Sequence, residues 1–283
     1  MERIDNMALE NFKPTLWEDA IMENFHNSSF VGLITTPPVE KRGEKVIFNR
    51  IQKGIWKEYT GDKITWDEVA TTKVEMTFPH QKYFAYMVDD VDEVQTAKSG
   101  ETLRAITKEQ SEVLGEEVDQ EVIAYIADNT IEDNTIGTEI DPILVNPINA
   151  YDTLVDLNTL GNKQKLPVTD RYFIISPDYL GLLEKDDRFT KEYEILTNGI
   201  VEGANINGNT LIVKADNPAD KVLLTHPSST GFGMQLGGDA EAVRLQDYFA
   251  EGVRGLVKYG YTQLREEASC IAHITLGSTG AEG

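Results

Sequence analysis

An α+β fold is predicted by three observations on this 283-residue chain. Two long extended runs meet at Gly61-Asp62, one helical pattern is sustained for roughly 28 residues, and the C-terminal half interleaves short strands and helices without a regular βαβ repeat. Apolar residues make up 40% of the chain and charged residues 26%, enough to bury a sizeable core and too ordered a mixture for wholesale disorder. Lys plus Arg number 26 against 48 for Asp plus Glu, a formal net charge of −22. Such a surplus repels phosphate and disfavours a tight nucleic-acid reader, whose affinity comes from neutralising the backbone.

The first segment carries a short helical pattern, with Trp17, Ala20, Ile21, Asn24 and Phe25 on one stripe and Pro14 suited to the first turn. That stripe packs either on its own domain or, as an arm, on a neighbouring subunit. Pro37-Pro38 then break the chain and mark a boundary. Two extended runs follow, EKVIFNRIQKGIWKEYT and KITWDEVATTKVEMTF, with Gly61-Asp62 as a plausible hairpin turn. In the second run Ile64, Trp66, Ala70, Thr72, Val74, Met76 and Phe78 share one parity, and Thr65, Asp67, Thr71, Lys73, Glu75 and Thr77 take the other, the pattern of a half-buried strand. At about 3.3 Å per residue such a hairpin projects about 50 Å. A two-stranded ribbon is marginally stable in water, so the end carrying Trp56, Tyr59, Ile64 and Trp66 needs a partner surface. That surface is either an ordinary internal sheet or a neighbouring subunit.

A strand from about Gln81 to Val88 runs into Asp89, Asp90, Asp92 and Glu93, carboxylates of the kind hard cations take. They lack the spacing and the glycine of a calcium loop, which favours a solvated face or helix entry. From about Ser99 to Ala127, Leu103, Ile106, Gln110, Val113, Leu114, Val118, Val122, Ile123 and Ile126 keep the helical period behind Ser99 as N-cap. Glu109, Glu112, Glu116, Glu117, Asp119 and Glu121 are assigned to its solvated face. NTIEDNTIGTEIDP reads as a loop, and a second helix is expected from about Pro147 to Leu160, stopped by Gly161. RYFIIS, NTLIVKAD, KVLLTH, GFGMQL, FAEGVRGLVKYGYTQLRE and ASCIAHITL read as strands, and Ser176-Pro177 as the N-cap and first turn of a short helix through Glu184.

Catalytic signatures are missing from this pattern. No two of His26, His80, His226 and His273 lie within four residues of each other, so the helical zinc pair does not occur. Ser176, in ISPDY, and Ser228-Ser229, in HPSSTG, lack the context of a nucleophile elbow. GFGMQLGGDAEA lacks the spacing of a phosphate loop, and a hairpin turn near Gly237-Gly238 is expected instead. The only cysteine, Cys270, sits in an apolar strand pattern and reads as buried and inert; alone it excludes an intrachain disulfide and a Cys-based zinc site. The N-terminal MERIDNMALENFKPTLWEDA has no apolar run behind a basic start, and no stretch reaches the roughly 20 apolar residues of a membrane helix. A soluble, intracellularly made protein with no membrane association is expected. No low-complexity tract or self-similar period points to a solenoid or propeller.

The order of these parts, an apolar-helix arm, a long hairpin, QKYFAYMVDDVDEVQT, a long spine helix and a mixed domain closing with VKYGYTQLREEASCIAHIT, resembles the major capsid protein of tailed bacteriophages, the Hong Kong 97-type fold, over nearly the whole chain. LPVTDRYFIISPDYLGLL and NGIVEGANINGNTLIVKADN carry the same resemblance. It implies an N-terminal arm at 1–36, an extended E-loop at 37–79, a peripheral domain at 80–140 and 267–276 with its spine helix at 99–127, an axial domain at 141–266 and a tail at 277–283. Trp17, Ile21 and Phe25 of the arm and Trp56, Tyr59, Ile64 and Trp66 of the E-loop become subunit-interface residues. The implied activity is self-assembly as hexamers and pentamers into an icosahedral shell around double-stranded DNA, with no catalytic, cofactor or metal site and no sequence-specific DNA contact. With no long helical prodomain ahead of the arm, a separate scaffolding protein is implied, alongside a portal protein and, where present, a decoration protein. Lys53 and Lys57 lie in the loop, but no crosslink partner is assigned. The product is expected in the virion after synthesis in the bacterial host cytoplasm. Two alternatives remain open: an encapsulin-like nanocompartment shell, and a metal-dependent enzyme using Asp89, Asp90 and Asp92.

Overall fold

The structure is a computed structural model and describes residues 24–25, 28–42, 45–51, 58–59, 61, 71–89, 99–189, 193–236, 241–244 and 250–277. A helical turn α1 (Val31–Ile34) precedes strands β1 (Glu40–Arg42), β2 (Lys45–Ile51), β3 (Thr71–Thr77) and β4 (His80–Asp89) and the long helix α2 (Ser99–Asp128). Then come β5 (Thr135–Ile136), β6 (Ile143–Val145), helix α3 (Ala150–Lys163), β7 (Tyr172–Ile175) and helix α4 (Pro177–Leu183). The chain closes with β8 (Glu194–Ile195), β9 (Ile200–Ile206), β10 (Asn209–Val213), β11 (Lys221–Thr225), β12 (Thr230–Leu236), β13 (Glu241–Arg244), β14 (Ala250–Gln263) and β15 (Ser269–Leu276). The α+β reading holds.

Eight strands make a mixed central sheet, in the order β5-β15-β11-β7-β10-β9-β8 with β6 also on β15. Its inner strands are near-continuous apolar runs, and a strand apolar at every position must be covered on both faces. Alternation does this. Phe173, Ile175, Leu211, Val213, Leu224, Cys270 and Ala272 pack with Leu154 and Leu157 of α3 and Tyr179 and Leu183 of α4. Their neighbours Ile174, Ile212, Leu223 and Ile271 face the other way, onto Val118, Val122, Ile123 and Ile126 of α2 and Phe25, Phe30, Val31 and Ile34 of the N-terminal segment.

Local signals fix the covering helices. The Ser176 hydroxyl accepts from the Tyr179 amide at 3.2 Å, with Pro177 in the first turn, as the sequence predicts. Gly161 does not stop α3, which runs on to Lys163. A Cβ at Gly161 would lie 3.1 Å from Leu224 Cδ2, so this glycine lets the helix approach the sheet. The stretch NTIEDNTIGTEIDP, expected as a loop, supplies the short strand β5, and β6 follows directly after it, both parallel to β15.

A second sheet is built on β14, which pairs antiparallel with all ten residues of β4 along one edge. The other edge carries β12 and then β13. Leu236 faces Val257 and Glu241 faces Arg254, so between those pairs β14 has only Gly255 and Leu256 where the opposite chain has four residues. β12 and β13 therefore run in the same direction along β14, and Gly237 and Gly238, where the sequence expects a hairpin turn, lie outside the described residues. The reversal comes between β13 and β14.

β15 lies inside the central sheet between β5 and β11, with apolar residues on both its faces. β14 pairs with β4 beside the long helix. The expected strand at Gln81–Val88 and helix at Ser99–Ala127 match β4 and α2 within a residue.

Gly260 of β14 marks the tightest backbone approach: a Cβ there would lie 2.4 Å from the Thr77 carbonyl oxygen. Gly260→Ala is expected to destabilise the folded chain by about 1–3 kcal/mol, as overpacking against backbone does. Thermal melting checks it, and an unchanged midpoint would show that β3 and β14 part easily.

Candidate assembly surface

The hairpin root is the part of the expected surface that the structure describes. β2 and β3 pair antiparallel from Lys45↔Thr77 to Ile51↔Thr71, and the midpoint of every pair is residue 61. Gly61 stands there with φ +89°, the left-handed conformation that glycine adopts without strain. Val74, Met76 and Phe78 turn inward and Lys73, Glu75 and Thr77 outward, the parity that the sequence predicts. Val46, Phe48, Met76 and Phe78 form their own small core with Val74 and Leu264. A Cβ at Gly231 would lie 2.7 Å from the Phe48 ring, and one at Gly233 3.0 Å from Met76 Cε, so β12 offers the hairpin a glycine floor.

Of the seven expected interface residues, Tyr59 is 76% exposed. Phe25 is instead buried among Phe30, Val118 and Val122 of its own chain. Its place on the arm stripe thus serves internal packing, because the segment that follows runs under the long helix. Trp17, Ile21, Trp56, Ile64 and Trp66 lie outside the described residues, as do Lys53, Lys57, Asp90, Asp92 and the side chain of Asp89. Among the described residues, no three His, Cys, Asp or Glu side chains are placed to hold a metal ion.

Other exposed apolar side chains were not singled out by the sequence. Tyr83 and Met87 project from β4, and Ile140, Leu144 and Ile148 line the β6 edge of the central sheet, Ile140 being 97% exposed. Strand parity already separates Tyr83 and Met87 from Phe84 and Tyr86, which are half-buried on the opposite face.

Two polar assemblies hold the arm and the hairpin to the body. Asp119, expected on the solvated face of the long helix, is 2% exposed and receives the Ser29 hydroxyl at 2.5 Å and Lys214 Nζ at 2.8 Å. Lys214 also donates to the Ser28 carbonyl and lies over the Phe30 ring. Burial pushes the Asp119 carboxyl up, with Lys214 and Ser29 acting against it. Helical spacing was the signal: Asp119 shares the stripe of Ser111, Gly115, Val122 and Ile126, all buried. In the second assembly the Tyr259 hydroxyl donates to Glu121 at 2.8 Å, Lys82 donates to Glu117 at 2.5 Å, and His80 stacks on Tyr259 and Tyr261. β4 and β14 are thereby clamped to the helix just where the hairpin leaves.

His226 and Arg171 have structural roles. His226 Nδ1 accepts the Ser228 amide at 3.1 Å and lies 2.8 Å from its hydroxyl, closing the HPSSTG turn. Arg171, 2% exposed, donates to the carbonyls of Leu166 and Pro167 and to the side-chain oxygens of Asn158 and Asn162. No described helix is long and apolar enough to cross a membrane.

No family model matches the chain, and no curated protein does. Solved structures do. A Mycobacterium phage Che8 structure is 18% identical with a TM-score of 0.60, covering 91% of this chain and 92% of its own. The capsid of Ralstonia phage GP4 is 9% identical with a TM-score of 0.62, covering 88% and 89%. The SrpI encapsulin complex from Synechococcus elongatus PCC 7942 is 12% identical with a TM-score of 0.57, covering 86% of both chains. The chain thus has the phage major capsid fold of the Hong Kong 97 type, which encapsulin also has.

Cys270 is fully buried, and burial pushes its thiol up to about 12. Only the thiolate reacts with alkylating agents. Iodoacetamide at pH 8 is therefore expected to leave the native chain unmodified and to label it at the rate of unfolding in denaturant. Rapid labelling of the native chain would show that the core opens at β15.

Proposed function

We propose that this chain is the repeating subunit of an icosahedral shell, the major capsid protein of a tailed double-stranded DNA phage, with self-assembly as its activity and no catalytic role. The observation that carries this reading is the hairpin. Its described core ends at Phe48 and Val74, while its register is centred on residue 61, with Tyr59 largely exposed there. The intervening sequence holds Trp56, Ile64 and Trp66, an apolar set that a ribbon cannot bury alone. In a closed symmetric assembly a neighbour covers such a surface, and modest contacts add over many copies. The likeness to capsids over about nine-tenths of the chain supports the same reading.

In this reading 1–36 is the arm and 37–79 the E-loop. Residues 80–140 with 267–276 form the peripheral domain around the spine helix at 99–127, 141–266 the axial domain, and 277–283 the tail. Trp17, Ile21, Trp56, Tyr59, Ile64 and Trp66 are the interface residues, and the products are hexamers and pentamers in the virion. A scaffolding protein, a portal protein and, where present, a decoration protein are the partners. The net charge of −22 suits a wall that encloses DNA without gripping it. A nanocompartment shell holding protein cargo is the second reading, favoured by the likeness to the SrpI encapsulin.

Negative-stain microscopy with light scattering tests the proposal on the purified chain, alone and co-expressed with its adjacent reading frames. Closed particles or curved sheets of hexamers and pentamers are expected. A compact monomer under every condition would overturn the shell reading, and particles filled with a cargo protein would favour the second one.

Replacing about 52–69 with a short turn is expected to leave a folded monomer that no longer assembles, because the root keeps its own core. Phe48→Ala, by contrast, should cost about 3–5 kcal/mol of stability, the usual price of removing a buried aromatic ring. Denaturant titration and sizing separate the two outcomes. A loop deletion that unfolds the monomer would place the hairpin in the core.

A further inference from the structure

We infer that Lys214, Asp119 and Ser29 form a bolt that fixes where the N-terminal arm leaves the body and couples the arm to the packing of the long helix on the central sheet. The three residues come from three elements. Ser29 lies in the arm just before α1, Asp119 lies in α2, and Lys214 follows the last residue of β10. Their side chains close on one another at 2.5 Å and 2.8 Å, with Asp119 3% and Lys214 13% exposed.

A buried ion pair needs its remaining hydrogen bonds filled, since each charge has given up its water. Here the arm fills them. The Ser29 hydroxyl takes the Asp119 oxygen that Lys214 does not reach, and the Ser28 carbonyl takes another ammonium proton. Gly115 lets the arm come this close: a Cβ there would lie 2.9 Å from Ser28 Oγ. Withdrawing the arm therefore strips the pair of its partners, and shifting the helix along the sheet breaks the pair itself. Each movement makes the other easier.

A second fixed point lies seven residues on. The Thr36 amide donates to the Thr230 carbonyl at 2.9 Å, the Phe232 amide donates to the Thr36 carbonyl at 3.2 Å, and the Thr36 hydroxyl donates to the Pro227 carbonyl at 2.6 Å. Between the two points Phe30, Val31 and Ile34 supply apolar contact, which holds the strap down without choosing its direction. The bolt supplies the direction.

Hydrogen–deuterium exchange on the isolated full chain tests this, independently of whether the chain forms shells. In the double variant Lys214→Met/Asp119→Asn, amides from Ser28 to Thr36 are expected to exchange about tenfold faster, with those of β7, β10 and β11 unchanged within about threefold. Ser29→Ala keeps the ion pair and removes only the arm's bond, and it should accelerate exchange at Ser28 to Val31 and, to a smaller extent, in the turns of α2 around Asp119. Unchanged exchange across Ser28 to Thr36 in both variants would overturn the inference, because apolar packing would then hold the arm by itself. A uniform rise through the central sheet, or a double variant that does not fold while Ser29→Ala leaves exchange unaltered, would overturn it as well.

Discussion

Strands β7, β10, β11 and β15 are apolar on both faces, so the sheet they form cannot present either face to water. This requirement organises the rest of the chain. One face is closed by α3 and α4, which precede and follow β7 in sequence and are short enough to be local. The other is closed by α2 together with the N-terminal segment and the inner side of β12 and β14. The long helix is thus sandwiched between two sheets along its C-terminal part, and the hairpin root and arm are anchored at that junction. Among the described residues, this packing leaves Tyr59, Tyr83, Met87 and Ile140 as apolar side chains exposed to solvent.

Charge inside these layers is used sparingly and is always satisfied by directional bonds. Arg171 has only carbonyl-type oxygens around it, from Leu166, Pro167, Asn158 and Asn162, and burial lowers its affinity for its proton below the ordinary guanidinium value. It stitches the end of α3 to the start of β7 without a carboxylate. Asp119 and Lys214 do use a charge pair, and the price is that three separate elements must be in register before the pair forms. Such groups specify an arrangement more than they stabilise it, whereas the apolar layers do the reverse.

Elements governed by local periodicity were legible in the sequence. The run from Ser99 kept its 3.6-residue pattern and became α2, KVEMTF kept its alternation and became β3, and Ser176-Pro177 capped α4. Misreadings fell where a distant partner decides. Gly161 reads as a stop until Leu224 is known to lie against it. That β12 and β13 run the same way along β14 is set by the ladder and has no local signal. Val113 shares the apolar period of α2 and is nonetheless exposed, while Asp119 reads as solvated and is not. β14 and β15 follow one another in sequence, and only pairing with β4 or β11 places them in different sheets. Among the exposed apolar side chains, strand parity separates Tyr83 from Phe84 and Tyr86, whereas nothing local marks Ile140.

The register centred on Gly61 makes the reach of the hairpin a stepped quantity. Each strand alternates faces, and its root parity is fixed by Phe48, Met76 and Phe78. A single added residue on either strand would turn every outer side chain to the opposite face. Length can therefore change only by matched pairs, each moving the tip by about 6.6 Å. The described root thus commits any change in hairpin length to whole pleats, two residues on each strand.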